Sequence, residues 1–570
     1  MGCCMSSLYK RLAEGFPERL APARGSVHAE AKGLQDWIHG LPLANGLAAA
    51  RMLLQSVREM NAVRIDGLQR LAGLEALRSP VAQMVAQADR QVVGSTFPLP
   101  QSKQQLGVQS RDFHEAMALG YRMAAFDICS PDGKVPFLKG KQVATALQRA
   151  IAHHGEQLLR GYLLYAAPQP GVWQHLHDLY RCAGALALDD KSIDDPLLGK
   201  LSFSARDGYA HAVLLALCNP YRLSQREMVD SYELTRIWAP LFRMGSESLA
   251  GEFGLSLEQD LGPGYVPEER DPGVPPTLSF DTNDVQRSIE RDLALTVKVQ
   301  GSISFRLKGG NPVSVTPDFV SRLASSWKQS PDRYHARLPA GHYLDTLIGL
   351  HGIHYHLAGG TDFEQFVRDV RGPGISMTER DKSASWVNAL GDSAKPSALR
   401  SKVLDQSLGG YRLEWGLESG AKARIGELVG VAAVGDEHDN EREWMIGVIR
   451  WLRFTGDGRV QAGVELLARE AYAAAVRAAD HGGHFRAPVR AIELQPMRNG
   501  SVGQLSILTP SVVDRGMSQI EVSRAPDLWS DSRDASIRVL SDLDVIENTG
   551  AYIRLVPKPG YEGDLAAAAA

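Results

Sequence analysis

Six consecutive residues, DQSLGG at 405–410, carry groups that can bind a polar ligand. The Asp405 carboxylate can accept hydrogen bonds from N–H groups, and the Ser407 hydroxyl beside it can donate or accept. Gly409 and Gly410 have no Cβ atom, so backbone N–H groups can approach a ligand closely there. The segment therefore indicates a ligand loop. The same composition also fits a tight turn between two strands, in which Asp405 and Ser407 bond only to backbone groups.

A second set of chemistry-bearing residues is rich in histidine. The segment HYLDTLIGLHGIHYH holds His342, His351, His354 and His356. On a strand His354 and His356 would share a face, and on a helix His351 and His354 would, so a metal site is conceivable. No HExxH motif is present, and the nearby acids have no diagnostic spacing. We therefore expect structural or solvated histidines, with a metal site as the alternative.

The elements around the DQSLGG segment are predicted to be strands. Tyr411, Leu413 and Trp415 alternate with polar residues, as in a half-buried strand. The segment WMIGVIRWLRF is apolar on both faces, which is typical of a strand covered on two sides. Short strands at this spacing, with Gly-rich turns, make a small barrel plausible. EAYAAAVRAA, at 470–479, is expected to be a helix, and further strands are expected after Pro488.

The first half of the chain is predicted to be helical. Phe113, Met117 and Tyr121 recur at a helical period, and Ser224 followed by Glu227 has the spacing of a capping box. Farther on, LALTVKVQGSISFRLKGG has the near alternation of strands. The fold class is therefore multidomain α+β. Its expected domains are a helical N-terminal region (1–95), a helical bundle or repeat-like domain (96–257), a Pro/Gly-rich linker (258–278), an α+β segment (279–383), a β-barrel (384–478) and a C-terminal β-rich domain with an unstructured tail (479–570).

The composition is that of a globular protein. The chain has 570 residues, and 62 Lys and Arg against 66 Asp and Glu give a net charge of −4, which excludes a basic nucleic-acid coat protein. No uncharged apolar run approaches the length that a membrane-spanning helix needs, so no transmembrane segment is expected. The five cysteines are widely spaced without a CxxC pair, which favours a reducing, cytoplasmic environment.

The DQSLGG segment resembles the DxSxxG signature of PilZ domains, with Asp405, Ser407 and Gly410 at the three fixed positions. The similarity continues in order and spacing through GELVGV, WMIGVIRWLR and AGVELL, and covers about residues 390–475. PilZ domains are six-stranded β-barrels, and many bind the bacterial second messenger cyclic di-GMP. The resemblance therefore implies such a barrel, with cyclic di-GMP as its ligand and no other cofactor.

The sequence departs from this family in the arginines that precede the DxSxxG signature. Binding-competent members usually carry an RxxxR motif a short distance before the Asp of the signature. Arg380 lies at such a distance before Asp405, but Ala384 stands at the second arginine position. Arg400, just before the strand that leads into the signature, is a possible substitute. RSIER at 287–291 fits the pattern RxxxR but is expected to be a solvated helix face.

Three functions remain open at this point. The first is a non-enzymatic cyclic di-GMP receptor or effector, whose helical half contacts an unidentified protein partner. The second is a nucleotide-independent interaction scaffold with a degenerate barrel, motivated by the missing second arginine. The third is a metal-dependent hydrolase that uses the 342–356 region. For the first function the resemblance implies no catalytic or metal residues and a ligand site of Arg380, Arg400, Asp405, Ser407, Gly409 and Gly410.

Overall fold

The structure is a computed structural model that describes most of the chain. The described residues are 8–22, 31–42, 44–199, 201–247, 253–265, 278–296, 302–306, 311–327, 336–371, 395–435, 442–455, 457–479, 484–496, 505–511, 519–524 and 536–558. They form two compact units. The helical unit comprises Met1–Ser95 and Leu99–Asp332, and the strand unit comprises Thr96–Pro98 and Arg333–Ala570.

Helices dominate the helical unit, as predicted. They are α1 (Ala31–His39), α2 (Gly46–Ala62), α3 (Gly67–Val92), α4 (Gln101–Ile128), α5 (Gly140–Leu163), α6 (Val172–Ala185), α7 (Ala205–Leu217), α8 (Gln225–Trp238), α9 (Asn283–Thr296) and α10 (Pro317–Ser326). The capping box expected at Ser224 and Glu227 is present at the start of α8, so both orphan N–H groups are satisfied there. The predicted stripe of Phe113, Met117 and Tyr121 on α4 is buried.

Short strands accompany these helices. They are β1 (Ile193–Asp194), β2 (Ser202–Phe203), β3 (Arg243–Glu247), β4 (Phe253–Leu255), β5 (Gly264–Tyr265), β6 (Leu278–Asp281), β7 (Ile303–Phe305) and β8 (Val313–Val315). The strand expected over LALT at 293–296 is wrong, because these residues complete α9. Val285 and Ile289 are buried at helical spacing, and Leu293 extends that stripe as a half-buried residue, so the helical period continues.

The strand unit begins with β9 (Leu338–Pro339) and β10 (Tyr343–Ile348), followed by α11 (Leu350–Leu357) and α12 (Phe363–Arg371). The barrel then continues with β11 (Leu399–Ser407), β12 (Gly410–Trp415), β13 (Leu428–Ala433), β14 (Met445–Phe454) and β15 (Val460–Ala468). The last strands are β16 (Ala471–Ala478), β17 (Val489–Leu494), β18 (Ser506–Thr509), β19 (Gln519–Arg524), β20 (Ser536–Ser541), β21 (Leu543–Asn548) and β22 (Ile553–Pro557).

Six of these strands close into an antiparallel barrel, which confirms the fold that the resemblance implied. Their order is β10, β13, β14, β15, β12 and β11, and β11 pairs back with β10. The barrel interior is apolar, and Leu413 and Trp415 on β12 are fully buried in it. The Trp415 Nε1 donates to Thr346 Oγ1 at 3.0 Å, so the one polar atom of the indole is satisfied.

A seven-stranded antiparallel sheet follows the barrel, in the order β20, β19, β16, β17, β18, β22, β21. The helix predicted over 470–479 is wrong, because β16 occupies 471–478. Alanine favours helices, but β16 requires small side chains because both of its faces are covered. Ala473 and Ala475 pack under α12, while Ala474 and Val476 face a second apolar cluster on the other side of the sheet. Tertiary packing therefore overrides the local preference.

Candidate functional site

The DQSLGG segment forms the tight hairpin between β11 and β12. Ser407 pairs with Gly410, which leaves Leu408 and Gly409 as the two residues of the turn. The Gly409 carbonyl accepts from the Leu466 N–H at 2.9 Å, so the turn is also attached to β15. The tight turn of the structural alternative is thus present, but Asp405 bonds to arginine side chains and not only to backbone groups. The turn holds Asp405 at the hairpin end of the barrel.

Gly410 has a steric reason to lack a side chain. A Cβ atom at this position would overlap the Val464 carbonyl oxygen on β15. Backbone atoms cannot rotate away as a side chain can, so any larger residue would force β12 and β15 apart. The glycine of the signature therefore serves strand pairing directly behind the hairpin.

Two arginine side chains lie next to the Asp405 carboxylate. Arg337 Nη1 donates to Asp405 Oδ1 at 2.8 Å, and Arg412 Nη1 lies 3.6 Å from Asp405 Oδ2. Arg337 directly precedes β9, whose two residues pair with β11 at Asp405 and Gln406. The Asp405 side chain is 18% exposed, against 41% for Arg337 and 37% for Arg412. The carboxylate is thus largely covered, while both guanidinium groups remain open to a ligand.

These side chains lie on the outer face of the barrel. Arg412 alternates with Leu413, whose side chain is buried inside, and Arg412 is paired across the strands with Asp405. Arg412 Nη2 also donates to Gln461 Oε1 at 2.6 Å, and its guanidinium carbon lies 6.0 Å from the centre of the Trp451 ring. Gly463 lies under that indole, where a Cβ atom would overlap Trp451. A half-buried aromatic ring therefore lies beside Arg412.

Arg400 lies at the other end of β11 and has a different partner. Its Nε donates to Asp345 Oδ1 at 2.9 Å, and Arg442 Nη2 donates to Asp345 Oδ2 at 2.7 Å. Burial raises the pKa of Asp345, but these hydrogen bonds outweigh it and hold the pKa below its usual range. Five strand residues span about 16 Å, so Arg400 is far from Asp405 along β11. Arg380, the other expected cation, lies outside the described residues.

The contact with Arg337 identifies a motif that the sequence analysis missed. RYHAR at 333–337 has the RxxxR pattern, although Arg333 itself lies outside the described residues. This motif lies far upstream of Asp405 in the sequence because the whole segment 349–398 stands between β10 and β11. Without that segment the motif would precede the signature by the short distance that is usual in the family. A search for RxxxR at any distance, allowing an insertion after the first barrel strand, would have found it.

The histidine-rich segment has structural contacts. His354, on α11, is 1% exposed, and its Nε2 lies 3.1 Å from the Ala474 carbonyl oxygen of β16. Burial, with a smaller effect from Arg490, lowers the pKa of His354 to about 3, so the ring is neutral. His356 Nε2 lies 3.0 Å from the Pro396 carbonyl oxygen. Within the described part of the chain, no three His, Cys, Asp or Glu side chains are placed to hold a metal ion.

One further feature concerns the helices. Among the described helices, none combines the length and the apolar character needed to cross a bilayer.

Comparison with known proteins matches both units to one family. Residues 32–248 match the family described as the N-terminal domain of the cyclic-di-GMP receptor FimW, and residues 253–402 and 391–472 match its middle PilZ domain. A curated relative, the cyclic-di-GMP receptor FimW of Pseudomonas aeruginosa strain PAO1, is 24% identical over 487 residues, which covers 77% of each chain. The chain therefore belongs to the PilZ domain-containing proteins of the FimW type.

Proposed function

We propose that this protein is a receptor for cyclic di-GMP and that it binds the messenger on the outer face of the barrel, where β9, β11 and β12 meet. The match to the PilZ domain of a protein described as a cyclic-di-GMP receptor supports the ligand. One observation supports this location of the ligand site. Arg337, the last residue of RYHAR, donates to Asp405, the first residue of DQSLGG. Two sequence patterns far apart in the chain therefore meet at one carboxylate.

The chemistry of this corner suits guanine. A guanine base offers N–H donors on one edge, which a carboxylate such as Asp405 can accept, and O6 and N7 acceptors on another, which an arginine fork can bind. The ion pair with Arg337 holds Asp405 in position. A charge-assisted hydrogen bond contributes about 1.5–3 kcal/mol. Breaking the bond between Arg337 and Asp405 would cost a free energy of this size, and new charge-assisted bonds to the ligand would recover a similar amount.

The surroundings suit the two phosphates and a flat base. Arg337 and Arg412 outweigh the single charge of Asp405, which leaves net positive charge for the two negative charges of the ligand. The Trp451 ring beside Arg412 offers an aromatic face on which a base can stack. Ser407, Gly409 and Gly410 complete the hairpin and keep the backbone close to the ligand.

The receptor would act without catalysis. A ligand shifts a conformational equilibrium only as far as it binds one state more tightly than the other. We propose that the messenger favours one arrangement of the barrel relative to the helical half, which would contact a protein partner.

Calorimetry with the full-length protein and cyclic di-GMP tests this proposal. We expect saturable binding, and we expect Arg337→Ala and Asp405→Ala each to weaken it at least tenfold, or about 1.4 kcal/mol. Arg400→Ala is the matched control, because Arg400 lies on the same strand but bonds to Asp345. Its affinity should stay close to that of the unaltered protein.

Other results would contradict the proposal in distinct ways. No heat of binding in a folded sample would exclude the receptor and favour the nucleotide-independent scaffold. That alternative rested on a missing second arginine, and the RYHAR segment supplies one. If Arg400→Ala abolished binding while Arg337→Ala did not, the ligand would bind at the Asp345 end of β11 instead.

A further inference from the structure

An exposed turn in the helical unit presents two large apolar side chains to water. The turn runs from Pro136 to Lys139, where the Lys139 N–H donates to the Pro136 carbonyl oxygen at 3.0 Å. Its two central residues are Phe137, which is 89% exposed, and Leu138, which is 80% exposed. Isolated exposed leucines are normal on protein surfaces, but two adjacent apolar residues at the tip of one turn form a protruding apolar point.

The backbone of this turn is strained at Leu138, and this strain is not offset by burial of the leucine side chain. Leu138 has φ of 61°, in the left-handed region that glycine adopts without cost and a leucine adopts only against steric repulsion. A positive φ at the second central residue is what a type II turn requires, and glycine or asparagine is usual there. A strained residue that contributes no packing points to a function for its side chain.

The charged residues that flank the tip in the sequence are mainly positive. Lys134 and Lys141 are exposed and Lys139 is half-buried, whereas residues 130–141 include a single acid, Asp132. The long helix α5 begins at Gly140, directly after the turn, and no side chain caps its N-terminus. The free N–H groups and the positive end of the helix dipole there also attract anions.

We infer that this turn inserts into the surface of a bilayer of anionic phospholipids. Phe137 and Leu138 would enter the boundary between headgroups and acyl chains, while the lysines contact the phosphates. The two apolar side chains are almost fully exposed at the turn, and lysines flank them in the sequence. That arrangement fits a deformable lipid surface better than a protein groove, which would have to match both side chains and enclose them. Burial of two apolar side chains together with a few lysines gives reversible, salt-sensitive attachment.

Co-sedimentation of the full-length protein with vesicles tests this inference. We expect binding to vesicles of phosphatidylglycerol and phosphatidylethanolamine, little binding to phosphatidylcholine, and weaker binding as salt is raised. The double variant F137S/L138S should lower the partition onto anionic vesicles at least tenfold. Both side chains are exposed, so the variant should keep its circular dichroism spectrum and its melting temperature.

Two further variants test whether the loss of vesicle binding is specific to the side chains of this turn. Leu138→Gly removes the side chain while fitting the turn, so it should weaken vesicle binding and raise stability together. Leu417→Ser changes a leucine that is 57% exposed in the strand unit, and it should bind vesicles as the unaltered protein does. The inference is overturned if the unaltered protein ignores anionic vesicles, or if F137S/L138S binds them equally well. It is also overturned if phosphatidylcholine is bound as tightly, since the lysines would then have no role.

Discussion

At Gly410 the barrel is sensitive to a single methyl group. The Cβ atom of an alanine would overlap the Val464 carbonyl oxygen of the neighbouring strand, and neither backbone can yield without loss of strand pairing. We expect Gly410→Ala to lower the free energy of unfolding of the strand unit by about 1–3 kcal/mol, the usual cost of overpacking. Gly416→Ala is the matched control, because nothing lies within 4 Å of a Cβ atom there. Denaturation followed by tryptophan fluorescence measures both, and equal midpoints for the two variants would refute the steric argument.

The candidate site was only partly predictable at the level of residues. The acid, hydroxyl and glycines of 405–410 could be read directly from the sequence, because they lie within one hairpin. Arg337 could not be assigned in the same way, because the long segment between β10 and β11 hides the usual spacing. Nor could the sequence show that Arg400 bonds to Asp345, since that pair depends on the closure of β10 onto β11.

At the scale of elements, β16 depends on its alanines being small. Ala475 is fully buried beneath α12, in a cluster with Phe366 and Val367. We expect Ala475→Leu to push the helix off the sheet and to lower the free energy of unfolding by about 1–3 kcal/mol. Arg469→Leu, at an exposed position between β15 and β16, should change it far less. Thermal unfolding compares the two, and an unchanged melting temperature for Ala475→Leu would contradict the packing described.

The same strand shows which elements the sequence could predict. The helices of the first half have a clear helical period, and β12 alternates clearly between its two faces, so these elements were predicted correctly. An alanine run shows neither pattern, because alanine suits either face of any element. Only the cover of α12 on one side and the second apolar cluster on the other makes this run a strand, and both come from residues distant in sequence.

For the whole molecule, buried neutral histidines make the helical unit acid-sensitive. Burial, followed by the charges of His175 and Arg122, lowers the pKa of His154 to about 3. Burial also lowers the pKa of His211 to about 3 and that of His177 to about 4. In the unfolded chain these rings take up protons near their ordinary pKa of about 6.5, whereas in the folded protein they do not. The unfolded state therefore binds more protons below this pH, and stability falls as the pH is lowered.

We expect the melting temperature of the helical unit to fall steeply between pH 6.5 and 4.5, because each such histidine contributes up to about 1.4 kcal/mol per pH unit. Circular dichroism in the far ultraviolet measures this unit, since it holds most of the helix. His154→Gln removes one titrating ring and should make the slope shallower, whereas His342→Gln, at an exposed position in the strand unit, should leave it unchanged. A melting temperature that stays constant over this range would mean that these rings bind protons in the folded protein as readily as in the unfolded chain, which would contradict the effect ascribed to their burial.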